Sequence, residues 1–428
     1  MKNQSIVTRT ELLVPSGDQV WIQAIVRALY QIGHGSILFF IPLIFVNQLG
    51  FKATTVGMAR GSGALAGVVG HFLGGYLADS PKYGRKRTLL FSAGLSILAA
   101  IVLALLPNLP MLYVANVIMG LASGCYWTAA DAAVIDVTKS EQRSKAFGFM
   151  VLADSLGSGL GIICGGILLS RISQIQTLFL IAGLVFLVFL MLIQIAVTDT
   201  HPEGNEHVDP LQGFDVALKD RSLQLFVSIN VLFTTYIALV HSTLPLYFTN
   251  FVSTNVEPLV SVANLYTWFY IGIGAVLQLP LVQMLSSLLK VQVLKISMLL
   301  WTGGFFLVWI THLMPSPLIG MIAAFSVLSI ATATHKPFAP VIVSELAPSS
   351  LRGVYVGISY QCWSIGFFIG PILGGWAMDR SSALPLGNDL SRIADSLWIA
   401  TAFTTFFGIF LLYILQRIQT QITQQSQG

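Results

Sequence analysis

The sequence predicts an all-α membrane protein with twelve transmembrane helices, arranged as two pseudo-symmetric six-helix bundles. Composition, the length of the apolar stretches and an internal repeat carry that prediction. Of 428 residues, 55% are hydrophobic and only 9% are Asp, Glu, Lys or Arg, with a mean hydropathy of +0.79. A soluble domain is about a quarter charged. The apolar stretches suit a hydrocarbon core about 30 Å thick, which takes about 20 helical residues. Backbone groups in lipid must be satisfied within the segment, so each stretch is a helix. The repeat sets Asp136, Arg143, Gly148, Gly157, Gly161, Gly165, Gly166 and Arg171 in step with Glu345, Arg352, Gly357, Gly366, Gly370, Gly374, Gly375 and Arg380, each 209 residues later. One six-helix unit used twice is the usual machinery of a transporter.

The predicted spans follow in order. Helix one, 19–47, holds Arg27, Tyr30 and His34. Helix two, 54–79, ends in Gly74-Gly75-Tyr76-Leu77-Ala78-Asp79 and turns through Ser80–Tyr83 and Gly84-Arg85-Lys86-Arg87 into helix three, 86–106. Helix four, 110–136, carries Tyr126, Trp127 and Asp131 and ends on Asp136. Helix five, 144–169, holds Asp154 and the first glycine stripe, and helix six, 174–196, carries no charged residue. A polar, acidic break, Thr198 to Arg221, has apolar residues at helical spacing only in its later part (Leu211, Phe214, Leu218), which reads as a short amphipathic helix on the membrane surface. Helices seven to twelve are 222–249, 259–286, 292–312, 316–344, 351–378 and 394–416. The domains are therefore 1–197, a cytoplasmic central loop at 198–221, and 222–428.

Charge sets orientation. Fifteen Lys and Arg lie on the side of both termini and four on the other, which places the termini and central loop in the cytoplasm of a plasma (bacterial inner) membrane. The net charge of +4 thus reflects topology, not nucleic-acid binding. Cys125, Cys164 and Cys362 fall in apolar segments and form no disulfide framework or metal motif. The polar N-terminus, Met1 to Asp18, lacks a signal-peptide core. No phosphate loop, nucleophile–base pair or metal cluster stands out, so neither an enzyme, an ATP-driven pump nor a cofactor is expected.

A helix that ends Gly-x-Leu-Ala-Asp and turns through Gly-Arg-Lys resembles motif A of the major facilitator superfamily. Span count, central loop and repeat extend the resemblance to the whole chain. It implies a conformational latch of Gly75, Asp79, Gly84, Arg85 and Asp136, with Asp79 meeting the start of helix eleven and Arg85 pairing with Asp136. The family has two residues between the Asp and the Gly, against four here, so a longer turn is expected. Gly366-x-x-x-Gly370-Pro371-x-x-Gly374-Gly375 is similar to motif C of the twelve-helix drug:proton antiporter branch, although the family carries it on helix five, where this chain has Ile162 for the proline. Position 116, where the family's helix-four arginine would fall, is asparagine. At four-residue spacing, Gly157, Gly161 and Gly165, like Gly366, Gly370 and Gly374, lie on one stripe that lets helices approach closely.

Ionisable groups at membrane depth are costly and rarely idle; here they are Arg27, Arg60, Asp131, Asp154 and Lys336. Arg27 and Asp154 each lie about 13–17 Å from a helix start at about 1.5 Å per residue, near the midplane, on helices that are neighbours in the resembled fold. They are expected to face each other and, with Asp131, to couple protons: a carboxylate parted from its arginine in an apolar site takes up a proton. A permanent structural salt bridge is the plainer alternative, and for Asp131 a helix cap. Arg60 lies closer to the outer face, within reach of snorkelling. The substrate cavity is expected from His34, Tyr126, Trp127, Tyr236, His241, Lys336, Tyr360 and Trp363, with Trp268 and Tyr270 as further aromatics. The reading is a monomeric secondary transporter, exporting a small amphiphile against protons. The alternative is an organic-anion or metabolite symporter or uniporter using Arg27 and Lys336 as clamps.

Overall fold

A computed structural model of the chain describes residues 18–80, 82–138, 143–172, 174–198, 210–252, 258–348, 351–382 and 393–425, and among these it contains helices and no strand. Helix one is Asp18–Leu43, continued by a π-helical turn, Ile44–Gln48. Helices two to six are Ala53–Asp79, Gly84–Leu105, Leu109–Asp136, Arg143–Arg171 and Ile175–Ala196. A short surface helix, Pro210–Lys219, precedes helix seven, Arg221–Tyr247, which also ends in a π turn, Phe248–Val252. Helix eight runs Pro258–Leu265, Tyr266–Gly272 as a π segment, then Ile273–Leu285. Helix nine is Lys290–Ile310 with a 3₁₀ turn, Thr311–Leu313; helix ten is Pro317–His335 and Ala339–Leu346; helices eleven and twelve are Arg352–Ser382 and Ile393–Gln425.

Every expected span has its helix. Eleven are long and apolar enough, by length and composition, to cross a membrane. Helix two is not among them, because seven of its 27 residues are glycine. It exchanges hydropathy for contact with protein: a Cβ at Gly63, Gly70 or Gly74 would come within 2.7 Å of helix four, and one at Gly57 within 2.2 Å of the Pro371 carbonyl on helix eleven.

Helix ten departs from the expected single span. Pro337 has no N–H to continue the ladder and its ring disfavours helical backbone before it. The helix therefore stops at His335 and restarts at Ala339, leaving Lys336 at the break. The turn after Asp79 is the longer one expected; Gly84 closes it at φ 73°, a conformation that costs a side chain and suits glycine. The surface helix is shorter than expected, and the side chains of Leu211 and Phe214 lie outside the described residues. Leu218 is exposed, while Asp220 caps helix seven through Ser222 N at 2.8 Å and accepts from the Tyr355 hydroxyl at 2.7 Å.

The glycine stripes set the packing. Cβ atoms at Gly157 and Gly161 would lie 2.3 and 2.2 Å from the Ala28 and Ile32 carbonyls, joining helix five to helix one. Gly165 meets Phe40, while Gly366, Gly370 and Gly374 meet Thr234, Ala238 and Thr243, joining helix eleven to helix seven. The glycines that follow turn to the opposite half: Gly375 would touch the Ala53 carbonyl at 2.3 Å and Gly166 the Ala263 Cβ at 3.6 Å.

These cross-half contacts gather on the face where helix one ends and helix two begins, the distal face. There Asp379 of helix eleven accepts from Ala53 N (2.7 Å), Thr54 N (2.8 Å) and Thr54 Oγ1 (2.5 Å), capping helix two. Asn47 and Asn250, on the two π turns, exchange amide hydrogen bonds of 2.9 Å in both directions.

Candidate functional site

On helix one, Arg27 points into the first half and is 6% exposed. Its Nε donates to Asp154 Oδ1 and Oδ2 at 2.9 and 3.0 Å, and its Nη1 to Asp131 Oδ1 at 2.8 Å. Local structure explains the approach. Gly157 lies one turn beyond Asp154, and its missing side chain lets helix five rest on the Ala28 carbonyl. The rigid guanidinium fork can serve two carboxylates at once. The Trp127 ring lies 4.6 Å from the guanidinium carbon, close enough for cation–π attraction. Asp131 thus belongs to the cluster and does not cap helix four.

Asp154 also lines a cavity of about 130 Å³ between the halves. Gln31, Ser155 and Ser158 join it from the first half; His241, Tyr266, Tyr270, Gln278, Ser329, Thr332 and Lys336 come from the second. Tyr266 Oη and His241 Nδ1 are 3.1 Å apart, as are Tyr270 Oη and Thr332 Oγ1. The π segment frees the Tyr270 carbonyl, which accepts from Ser329 Oγ at 2.5 Å; such bulges recur at functional sites. Lys336 is exposed, and its Nζ lies 5.8 Å from the Trp363 ring. It therefore faces the cavity lumen at the helix break instead of snorkelling.

Among the eight residues expected in the cavity, His241 and Lys336 line it, with Trp363 beside the lysine. Tyr236 does not belong there: it is buried against Trp301 and Phe305, its hydroxyl 2.8 Å from Thr404 Oγ1. Tyr126 is likewise inside the first bundle, stacked on Tyr30, which also stacks on His34. Tyr360 lies across from His71, where helices two and eleven meet, and Trp268 is 65% exposed. Gln31, Tyr266, Gln278, Ser329 and Thr332 escaped the sequence reading, since a π segment has no sequence signature and a serine in an apolar helix usually bonds its own backbone.

Arg85 makes the expected pair with Asp136, at 3.1 Å, and holds Asp79 with its other arm. In this conformation Asp79 is thereby engaged within its own half. Gly75 rests on Thr128 at 3.7 Å. Asn116, in place of the family's arginine, donates to the Leu112 carbonyl at 2.8 Å. Among the described residues no cluster of His, Cys, Asp and Glu could hold a metal.

The profile described as Major Facilitator Superfamily matches residues 24–262, more than half of the chain. The chain belongs to this superfamily. It is a multi-pass membrane transporter and not an enzyme. It is 25% identical over 387 residues to the multidrug resistance protein MdtH of Photorhabdus laumondii, covering 88% of each chain. Identity to MdtH of Aeromonas hydrophila is 28% over 366 residues, 83% of this chain and 86% of that one. An uncharacterized MFS-type transporter, YttB of Bacillus subtilis, is 24% identical over 81% of this chain and 85% of its own. Among solved structures, the nucleoside transporter NupG matches with a TM-score of 0.76 at 14% identity, covering 93% of this chain and 99% of its own. At that identity the likeness is one of fold.

Proposed function

We propose that this protein is a secondary active transporter working by alternating access, coupling inward proton flow to export of a small amphiphilic compound. The observation that carries the reading is Asp154, which both lines the inter-half cavity and pairs with Arg27. A ligand or a proton reaching Asp154 must compete with the guanidinium. Once the pair parts, a carboxylate in an apolar site is neutralised by a proton. Protonation and substrate binding then exclude one another, as antiport requires. Names of the MdtH relatives support efflux.

The moving bodies are residues 1–197 and 222–428, bridged by the central loop and rocking about the midplane cavity. With both termini and the loop in the cytoplasm of a bacterial inner membrane, this conformation is closed on the outer side. The motif A residues would latch the cytoplasmic side when the outer side opens. The transporter acts as a monomer.

Proteoliposomes with and without an inward proton gradient test the coupling. Asp154→Asn is expected to lose gradient-driven flux while retaining substrate exchange at equal pH. Full gradient-driven flux in that variant ends the coupling role.

A further inference from the structure

Helix two carries one cation that the transport scheme leaves unused. Arg60 lies seven residues inside the helix, about 10 Å at about 1.5 Å per residue, within reach of the distal surface for an arginine that snorkels. It does not snorkel: Arg60 is only 6% exposed. Within its electrostatic range lie His34 of helix one, His241 of helix seven and Tyr266 of helix eight. Its Nη1 is buried with no hydrogen-bond partner, and it enters no ion pair among the described residues.

The rest of the fold treats buried arginines differently. Arg27 and Arg85 are equally shielded, and each holds two carboxylates. Lys336 and Asp154 line the cavity, and Arg27 and Asp131 join Asp154 from outside the lining, two positive and two negative charges. Among the described residues no carboxylate balances Arg60. His241 and Tyr266 line the cavity, and Arg60, outside that lining, is within electrostatic range of both, so an anionic group that passes between them approaches a planar fork of donors. The rings of Tyr266, Tyr270 and Phe367 surround His241 at centroid distances of 5.4 to 6.1 Å and provide apolar contact for the body behind that group.

We propose that Arg60, with His241 and Tyr266 beside it, is a subsite for an anionic group, and that the transported compound is an amphiphile bearing a carboxylate. The proposal rests on the transport reading but not on its proton coupling. A buried charge without a counter-ion weakens a fold, whereas an apolar residue of similar volume does not. Arg60 therefore trades stability for binding.

The test uses purified full-length protein, with naphthoic acid and biphenylcarboxylic acid each set beside its primary amide, read by calorimetry and thermal unfolding. The wild type is expected to bind an acid at least about ten-fold tighter than its amide. Arg60→Gln should erase that preference and leave amide binding in place, Arg60→Lys should keep part of it, and Arg60→Met should unfold at a higher temperature than ligand-free wild type. Acids bound no better than their amides, equal weakening of acid and amide by Arg60→Gln, or an Arg60→Met protein less stable than wild type would each overturn the subsite. So would a site that answers to chloride titration and to neither acid. Flux indifferent to a proton gradient, with the acid preference intact, would remove the antiport reading and leave this one standing.

Discussion

At the scale of the residue, the Arg27 cluster combines stability with exposure. Its arginine is buried, yet Asp131 and Asp154 keep 25% and 17% of their side-chain surface accessible. Taking away only the arginine leaves two carboxylates facing one another. Breaking a buried pair costs about 3–5 kcal/mol, discounted here because both acids keep part of their side-chain surface accessible. Arg27→Met is therefore expected to lower the unfolding temperature, and adding Asp131→Asn and Asp154→Asn should recover most of the loss. A triple variant no more stable than Arg27→Met would mean the arginine acts through packing on Trp127. The members of this cluster were legible, since charges in apolar segments announce themselves. That one guanidinium would bind both acids was not, because spacing fixes depth and leaves rotamers open. Tyr236 shows the limit from the other side: nothing in its sequence context separates a cavity tyrosine from one whose hydroxyl finds Thr404.

At the scale of the element, spans and glycine stripes could be read from periodicity because the bilayer fixes helix length and only small residues allow backbones to touch. The two π turns, the π segment of helix eight and the break at Lys336 were harder, since each depends on which carbonyls neighbouring helices satisfy. The stripes make a sharp prediction. Gly161→Ala puts a methyl 2.2 Å from the Ile32 carbonyl, whereas Gly94 has open space around its Cβ position. Gly94→Ala should be neutral or stabilise by up to about 1 kcal/mol, the helix-propensity difference. Gly161→Ala should lower the yield of folded, monodisperse protein; equal behaviour of the two variants would rule out close contact between helices one and five. Asp379 makes a second prediction, because a helix cap contributes about 1 kcal/mol and this one exists only while the distal ends meet. Asp379→Ala should shift the population toward the distal-open state, read as longer spin-label distances between the distal ends of helices two and eleven. Unchanged distances would show that the glycine contacts close this face without it.

At the scale of the whole molecule, the 209-residue repeat accounts for the packing but not for the reciprocal asparagine contact between the halves. Pro42-Leu43-Ile44-Phe45-Val46-Asn47 matches Pro245-Leu246-Tyr247-Phe248-Thr249-Asn250 at a different offset, because helices eight to ten are together longer than helices two to four. Each copy ends in a π turn, and the two asparagines bond reciprocally across the halves. A symmetric contact of this kind cannot survive a rocking of one half against the other, since both hydrogen bonds must break together. Its site is exposed, so the bonds contribute little, on the order of 1 kcal/mol each, and should open readily. Tethering it should therefore arrest transport without unfolding the protein. With Cys164, the exposed native cysteine, replaced by serine, Asn47→Cys combined with Asn250→Cys and joined by a short bifunctional thiol reagent should abolish flux, and a cleavable reagent should restore it on reduction. Undiminished flux in fully cross-linked protein would show that the distal ends need not part, and alternating access between these two halves would have to be abandoned.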